Sequence, residues 1–369
     1  MIYLDNASTT KIDPRVLEAM MPYLTEQYGN PGSIHMFGEE ARKAVDKARE
    51  QVAKAINADP EEIIFTSGGS EANNLAVKFA RDFWGPGHKV ISSLMEHDSM
   101  KKALRNYYPK QVEFFKYMKP DDLIKEVKRQ DDSAFVSSFM YVNNELGFVN
   151  PVKEICDGSD AMTIVDAVQA LGSEEIDVKK IGCDLMTFSS HKIHGPKGVG
   201  ALYINKGLTR EFFCPLIFGG DHQEFGFRGG TENVAGIVGF GKACELQNVD
   251  SNKTAILSLK KAFFDALNFD FVVHNAEETS KIISMFVQYA DAETLVLMLS
   301  SKGVCVSAGS ACKSLEQKPN EVLLAAGLSE YEARHTIRIS LSTMNTIEEM
   351  KEAARIFNEC IEVMKMVCK

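Results

Sequence analysis

Apolar residues recur at helical spacing near the start of the chain. Val16, Leu17, Met20, Met21 and Leu24 fall on one face, the three-to-four-residue repeat of an amphipathic helix. Asp13 stands at the capping position and Pro14 at the first helical position. Gly29-Asn30-Pro31-Gly32 ends the element. A second stripe, Ala41, Val45, Ala48, Val52 and Ile56, predicts a helix from about Gly38 to Asn57. The pattern then alternates. Short apolar runs predict strands at Glu62–Thr66, Lys89–Ser92, Val112–Tyr117, Ala134–Val142, Ala161–Val165, Asp184–Phe188 and Val199–Ile204. Helical stripes over Glu71–Phe83, His97–Tyr108 and Pro120–Arg129 separate the first of these. Such alternation predicts an α/β fold, with a mainly parallel sheet covered by helices on both faces. The polar run Val249–Thr254 reads as a boundary. Beyond it, strands at Phe269–His274, Ile282–Val287 and Thr336–Leu341 mix with helices at Asp291–Ser300 and Thr346–Met366, which suits a second α+β unit.

Composition narrows the class. A chain of 369 residues is too long for one compact core and suits two domains. Its 45% apolar and 25% charged residues are ordinary for a soluble globular protein. A net charge of −10 gives no general attraction to nucleic acid or to an anionic membrane. The longest apolar runs fall well short of the ~20 residues that span a bilayer. Met1 leads directly into Ile2-Tyr3-Leu4-Asp5 without the pattern of a signal peptide, so the expected location is the cytoplasm. The eight cysteines form no C-x-x-C pair. They are expected to be thiols, and a structural zinc site has no support.

Four glycine- and polar-rich segments are expected just after strands, where open α/β sheets bind ligands. Thr66-Ser67-Gly68-Gly69-Ser70-Glu71 could bring backbone N–H groups and a helix N-terminus to a phosphate; a plain glycine turn with a serine cap fits equally well. Val165-Asp166-Ala167-Val168-Gln169 puts a carboxylate at a strand end, where it could pair with a pyridinium nitrogen or merely cap a loop. Ser189 to Gly200 carries His191, Lys192 and His194. A desolvated lysine there could form a Schiff base, although a solvated basic turn is the commoner fate of such a run. The two histidines lack an acidic or cysteine partner spaced for a metal. Arg228-Gly229-Gly230-Thr231-Glu232-Asn233 could complete a phosphate cup or be an ordinary surface turn.

Taken in order, these segments resemble the cysteine desulfurases of the class V aminotransferase family, in the group with a long catalytic loop. The resemblance begins at Tyr3 to Thr10 and continues through Gly29-Asn30-Pro31, Phe65 to Asn74 and Asn143-Asn144-Glu145-Leu146-Gly147. It then takes in the Lys192 segment, Ser310-Ala311-Cys312 and Arg338-Ile339-Ser340. It implies the aspartate-aminotransferase-like fold type I, with a seven-stranded sheet in a large domain (13–249) and a smaller α+β domain (1–12 and 250–369). It implies pyridoxal 5'-phosphate held as a Schiff base on Lys192. Asp166 would pair with the ring nitrogen, Gln169 would bond the ring oxygen and His97 would stack on the ring. Gly69, Ser70, Ser189 and His191 would hold the phosphate. Thr231 would reach the phosphate of the neighbouring subunit in a homodimer. Asn144 and Arg338 would bind the carboxylate of L-cysteine, a role that suits the guanidinium fork.

The implied reaction converts cysteine to alanine. Lys192 moves the α-proton, and Cys312 takes the sulfur as a persulfide. The sulfur then passes to an iron–sulfur scaffold or another acceptor protein. Cys312 lies in the small-residue run Ser307 to Ser314, where the neighbouring Lys313 could favour the reactive thiolate; the competing reading is one more buried thiol. Selenocysteine lyase chemistry, or another reaction of the same family, is the alternative. The sequence differs from the family pattern at Asp221-His222, at Phe225 and at Ser342, and the stretch from Val249 to Val287 is short.

Overall fold

The strands of the large sheet sit where the apolar runs predict, and their order explains why the polar segments meet. The computed structural model describes residues 1–117, 119–130, 134–220, 222–275, 280–309 and 319–367. Among these, in chain order, the strands are β1 (Ile2–Tyr3), β2 (Ile63–Thr66), β3 (Lys89–Ser93), β4 (Val112–Phe115), β5 (Ala134–Met140), β6 (Met162–Asp166), β7 (Leu185–Ser189), β8 (Gly200–Ile204), β9 (Val272–Val273), β10 (Ile282–Phe286), β11 (Val304–Cys305) and β12 (Thr336–Ser340).

The large sheet has seven strands in the order β2-β8-β7-β6-β5-β3-β4. All pairings are parallel except β2–β8 and β7–β8. Because β8 runs against both neighbours, β2 points the same way as β7. The carboxyl ends of β2, β3, β5, β6 and β7 therefore open on one edge of the sheet, the place where α/β folds bind ligands. Strands β2, β6, β7 and β8 are buried along their whole length, as expected for a sheet covered on both faces. One apolar cluster gathers Val45, Val52, Phe65, Met186, Phe188 and Phe240. Another gathers Leu75, Phe79, Leu104, Ile164 and Leu202.

A second, antiparallel sheet runs β12-β10-β9. The long helices Val249–Ala266 and Ile347–Val367 contribute Phe263, Met350 and Phe357 to its apolar cluster, beside Leu4, Ile283 and Ile339. The N-terminal residues are woven into this part. β1 pairs in parallel with β11, and the Ser340 N–H donates to the Leu4 carbonyl at 2.7 Å. Residues 5–10 then cross to the large sheet, where Thr10 N–H donates to the His191 carbonyl at 3.0 Å.

Val249–Thr254, the expected boundary, opens an 18-residue helix, with the Asn248 side chain accepting from Ser251 N–H. Its polarity is that of an exposed first turn. Two expectations change. Of Phe269–His274 only Val272–Val273 pairs in a sheet, while Phe269 turns into the apolar cluster. The Arg228–Asn233 segment follows a short 3-10 turn (Gln223–Gly226) rather than a strand, and leads into the helix Val234–Glu245. No helix among the described residues is long and apolar enough to cross a membrane.

Candidate active site

A cavity of about 270 Å³ opens at the carboxyl ends of the parallel strands. Ten of the expected site residues line it together: Gly69, Ser70, His97, Asn144, Asp166, Gln169, Ser189, His191, Lys192 and Arg338. Thr231 is exposed and does not line it. Cys312 lies outside the described residues, as does Asp221.

Lys192 ends a 3-10 turn directly after β7. Its Nζ donates to the carbonyl oxygens of Ala7 at 2.5 Å and Ser8 at 2.8 Å, both on the crossing N-terminal segment. Asp166 is the last residue of β6 and is buried. Its Oδ1 accepts from Val168 N–H at 3.0 Å and its Oδ2 from Asn73 Nδ2 at 2.9 Å.

Asn73 is the residue that sequence reasoning missed. It is 1% exposed, and its other Nδ2 hydrogen goes to Ser99 Oγ at 2.9 Å. Its Oδ1 accepts from Thr187 Oγ1 at 2.6 Å. Ser99 Oγ in turn lies 2.7 Å from His97 Nδ1, which also accepts from Ser99 N–H at 3.1 Å. Those contacts make Nδ1 the acceptor and leave the ring proton on Nε2. One amide thus fixes both Asp166 and His97. Burial first, then Lys192 and Lys101, push the His97 proton affinity down, against a pull from Asp166 and Asp98. The ring is therefore neutral at neutral pH and offers an aromatic face without charge.

The phosphate-type end is built on a 16-residue helix, Gly69–Trp84, whose first turn lacks a side-chain cap. Its N–H groups and dipole are thus available to an anion. Gly68 has φ +151°, and a Cβ on Gly69 would stand 2.7 Å from Val168 Cγ2, so only glycine lets this backbone pass so close. Glu71 ties the turn to the Arg228 segment: Arg228 Nε donates to Glu71 Oε1 at 2.6 Å, and Ser67 N–H to Glu71 Oε2 at 2.8 Å. Burial and the charges of Lys192, Lys197 and Lys281 push His191 down to about 4, so its ring is a neutral hydrogen-bonding group.

At the opposite end Arg338, on β12, is held by two carboxylates. Its Nη2 meets Asp5 Oδ1 at 3.1 Å and Ser8 Oγ at 2.8 Å. Its Nη1 meets the Asn144 carbonyl at 2.8 Å and Glu145 Oε1 at 3.3 Å. Three buried polar atoms on the cavity residues have no partner: Arg338 Nε, Asn144 Oδ1 and Gln169 Oε1. Buried orphans of this kind are uncommon and mark where a polar guest belongs. A carboxylate near Arg338 would satisfy its Nε–H, a donor such as an amine or hydroxyl would satisfy Asn144 Oδ1, and a hydroxylated ring near Gln169 would satisfy its amide oxygen.

The residues that depart from the family pattern sit at the margin. Phe225 adopts φ 56° and lies under Arg49, whose guanidinium also pairs with buried Glu224 at 2.7 Å. Ser342 Oγ meets His194 Nε2 at 3.0 Å, away from the large cavity.

A seven-stranded, mainly parallel sheet with a cavity at its strand ends is the architecture of the fold type I enzymes. The chain belongs to the aminotransferase class-V family, which its residues 2–352 match. It is 38% identical to cysteine desulfurase IscS of Methanosarcina thermophila, over 99% of this chain and 93% of that protein. It is also 38% identical to cysteine desulfurase IscS 1 of Archaeoglobus fulgidus, over 99% and 98%. Among solved structures, a NifS-like protein superposes with a TM-score of 0.89 at 32% identity, covering 98% of this chain and 99% of that one. SspA in complex with cysteine superposes at 0.82 with 31% identity, covering 94% and 100%.

Proposed function

We propose that this protein is a cysteine desulfurase that uses pyridoxal 5'-phosphate, converts L-cysteine to L-alanine and receives the sulfur on Cys312. The observation that carries the reading is the single cavity in which Lys192, Asp166 and His97 face a carboxylate-binding Arg338. The residues fit the cofactor. Lys192 would hold it covalently, Asp166 would keep its ring nitrogen protonated and His97 would cover one face. Gln169 would meet the ring oxygen. Gly69, Ser70, Ser189 and His191 would take the phosphate, joined by Thr231 from the second subunit of a homodimer. When bound, the cofactor supplies an electron sink for the pair left at Cα once its proton departs.

The chain's own residues do the rest. Arg338 and Asn144 hold the substrate carboxylate and so fix which bond at Cα faces Lys192. The Lys192 amine takes the α-proton, and two protons are delivered in return, one to Cβ to form the methyl group and one to Cα; Lys192 supplies one, and the proton shed by the Cys312 thiol as it becomes a thiolate balances the other. Cys312 attacks the substrate sulfur as a thiolate, so that the Cβ–S bond breaks while an S–S bond forms and a persulfide remains on the enzyme. An iron–sulfur scaffold or thiolation protein then removes that sulfur. The six described cysteines are free thiols, which fits a reducing cytoplasm. Separate apolar clusters around the two sheets support a division into 13–249 and 1–12 plus 250–369.

Two measurements test this. Purified protein should be yellow, or turn yellow on adding pyridoxal 5'-phosphate; a protein that stays colourless removes the cofactor reading. Incubation with L-cysteine should yield alanine, and the peptide carrying Cys312 should gain one sulfur atom by mass. Alanine without that gain would refute the role of Cys312. Selenocysteine, run in parallel, tells desulfurase from lyase.

Asn73→Ala is expected to weaken cofactor binding about tenfold. Loss of the two bonds that orient Asp166 and His97 costs about 1–2 kcal/mol, and 1.4 kcal/mol is a factor of ten. Absorbance titration of the cofactor-free variant measures it.

A further inference from the structure

Cys312 lies between Gly309 and Asn320 in the chain, and the chain on either side of it is tied to Arg338. On the near side, Ser307 N–H donates to the Arg338 carbonyl at 3.1 Å, and Arg338 N–H to the Ser307 carbonyl at 2.7 Å. On the far side, Asn320 caps the short helix Glu321–Ala325, its Oδ1 accepting from Val322 N–H at 2.9 Å. Its Nδ2 donates to Glu145 Oε2 at 3.1 Å. Glu145 Oε1 in turn accepts from Arg338 Nη1 at 3.3 Å and from Asn144 Nδ2 at 2.9 Å. The two flanks also touch, because a Cβ on Gly309 would stand 2.9 Å from Asn320 Nδ2.

Folding alone does not call for these two residue types. Serine, aspartate and threonine cap a helix about as well as asparagine, but among the favoured caps only asparagine carries a separate N–H donor on a second atom. The Glu145 side chain is 2% exposed, and a buried carboxylate is costly to keep. Arg338 already has a counter-charge in Asp5 at 3.1 Å, so Glu145 is not needed to neutralise it. Its place is fixed from behind by Asn143, whose Oδ1 accepts from the N–H groups of Glu145 at 2.9 Å and Leu146 at 2.8 Å. One rigid carboxylate therefore holds the guanidinium with one oxygen and the far flank of the Cys312 segment with the other.

We propose that Glu145 and Asn320 are positioning residues for sulfur transfer: their bond sets the chain that follows Cys312 in register with the guanidinium that holds the substrate, so that thiol and substrate sulfur share one frame. The proposal rests on the reading of Cys312 as the sulfur acceptor and of Arg338 as the carboxylate site.

The test compares two reactions of the full-length holoenzyme. Exchange of the α-hydrogen of L-alanine with deuterated water, followed by NMR, needs Lys192 and Arg338 but not Cys312. Formation of alanine from L-cysteine needs all three. A merely structural defect slows both alike, so the ratio of the two rates at saturating substrate reports the sulfur-transfer step. N320S keeps a helix cap and loses the amide donor. Its ratio of desulfuration to exchange should fall about tenfold or more, the scale on which displaced reacting groups lose rate, with KM for cysteine unchanged. N320D keeps the cap and sets a second carboxylate against Glu145, so its ratio should fall further. In N320D/E145Q the bond returns with donor and acceptor exchanged, and the ratio should recover most of the way. Alanine exchange in the same protein corrects for what the change at Glu145 does to Arg338. An N320S ratio equal to the wild type overturns the proposal, as does an N320D/E145Q ratio no higher than that of N320D. If N320S does not fold, N320D and the exchanged pair decide by the same comparison. A wild type that neither exchanges alanine nor desulfurates cysteine removes the proposed function itself, whereas a wild type that does both beside an unchanged N320S ratio removes only the roles of Glu145 and Asn320.

Discussion

Lys192→Ala should purify without covalently held cofactor and should form alanine from cysteine at least about 10³-fold more slowly than wild type, the range in which a positioned proton-transfer group acts. Among the described residues, no neighbour is placed to take over. His97 uses Nδ1 to accept from Ser99, and Lys281 directs its amine at the Lys192 main chain. The fold should survive. The Lys192 amine donates to two backbone carbonyls of the Ala7–Ser8 crossing, and losing bonds of this kind costs about 1 kcal/mol each. Borohydride reduction followed by intact-mass measurement gives the first readout: wild type gains the mass of the cofactor and the variant does not. Stopped-time assay of alanine gives the second. A variant that keeps the wild-type rate would show that Lys192 does not move the α-proton.

The sequence made Lys192 and Asp166 readable because each stands at or just beyond the carboxyl end of a fully buried strand. An apolar run that ends in charged and hydroxyl residues signals a ligand edge before any packing is known. Asn73 and Lys281 gave no such signal. Asn73 stands three, four and seven residues before Ala76, Val77 and Ala80, on the buried stripe of its helix, so periodicity marks it as a buried polar residue, and only packing shows that its partner is Asp166. Lys281 precedes an apolar strand and reads as a flanking charge, because nothing local says that its side chain meets a residue 89 positions earlier. The two-residue strands β1 and β11 are too short for alternation to register. They matter all the same, since they anchor the segment whose carbonyls receive the Lys192 amine. Long periodic elements and strand-end chemistry are legible locally; contacts between the two sheets are not.

Those inter-sheet contacts lead to the second large effect. Arg338→Ala should raise the KM for cysteine about 100-fold, because removing one partner of a buried, hydrogen-bonded charge pair costs 2–5 kcal/mol. The guanidinium is 4% exposed and is fixed by Asp5, Ser8, Glu145 and the Asn144 carbonyl, so the unpaired Nε–H is presented by a rigid group. The same network predicts a loss of stability. With the arginine gone, Asp5 and the 2%-exposed Glu145 face each other's charge without it, which costs about 3 kcal/mol and should lower the Tm. The readout must therefore be insensitive to the folded fraction, and a ratio of substrates is. Wild type should prefer cysteine to cysteamine, which has the same thiol and amine but no carboxylate. In R338A the kcat/KM for cysteine should fall towards that for cysteamine, while cysteamine itself changes little per folded molecule. Arg338→Lys should restore stability in part but not the preference, since an ammonium cannot reproduce the planar fork. An undiminished preference in R338A would place the carboxylate elsewhere in the cavity and reduce Arg338 to a strut between the N-terminal crossing and β12.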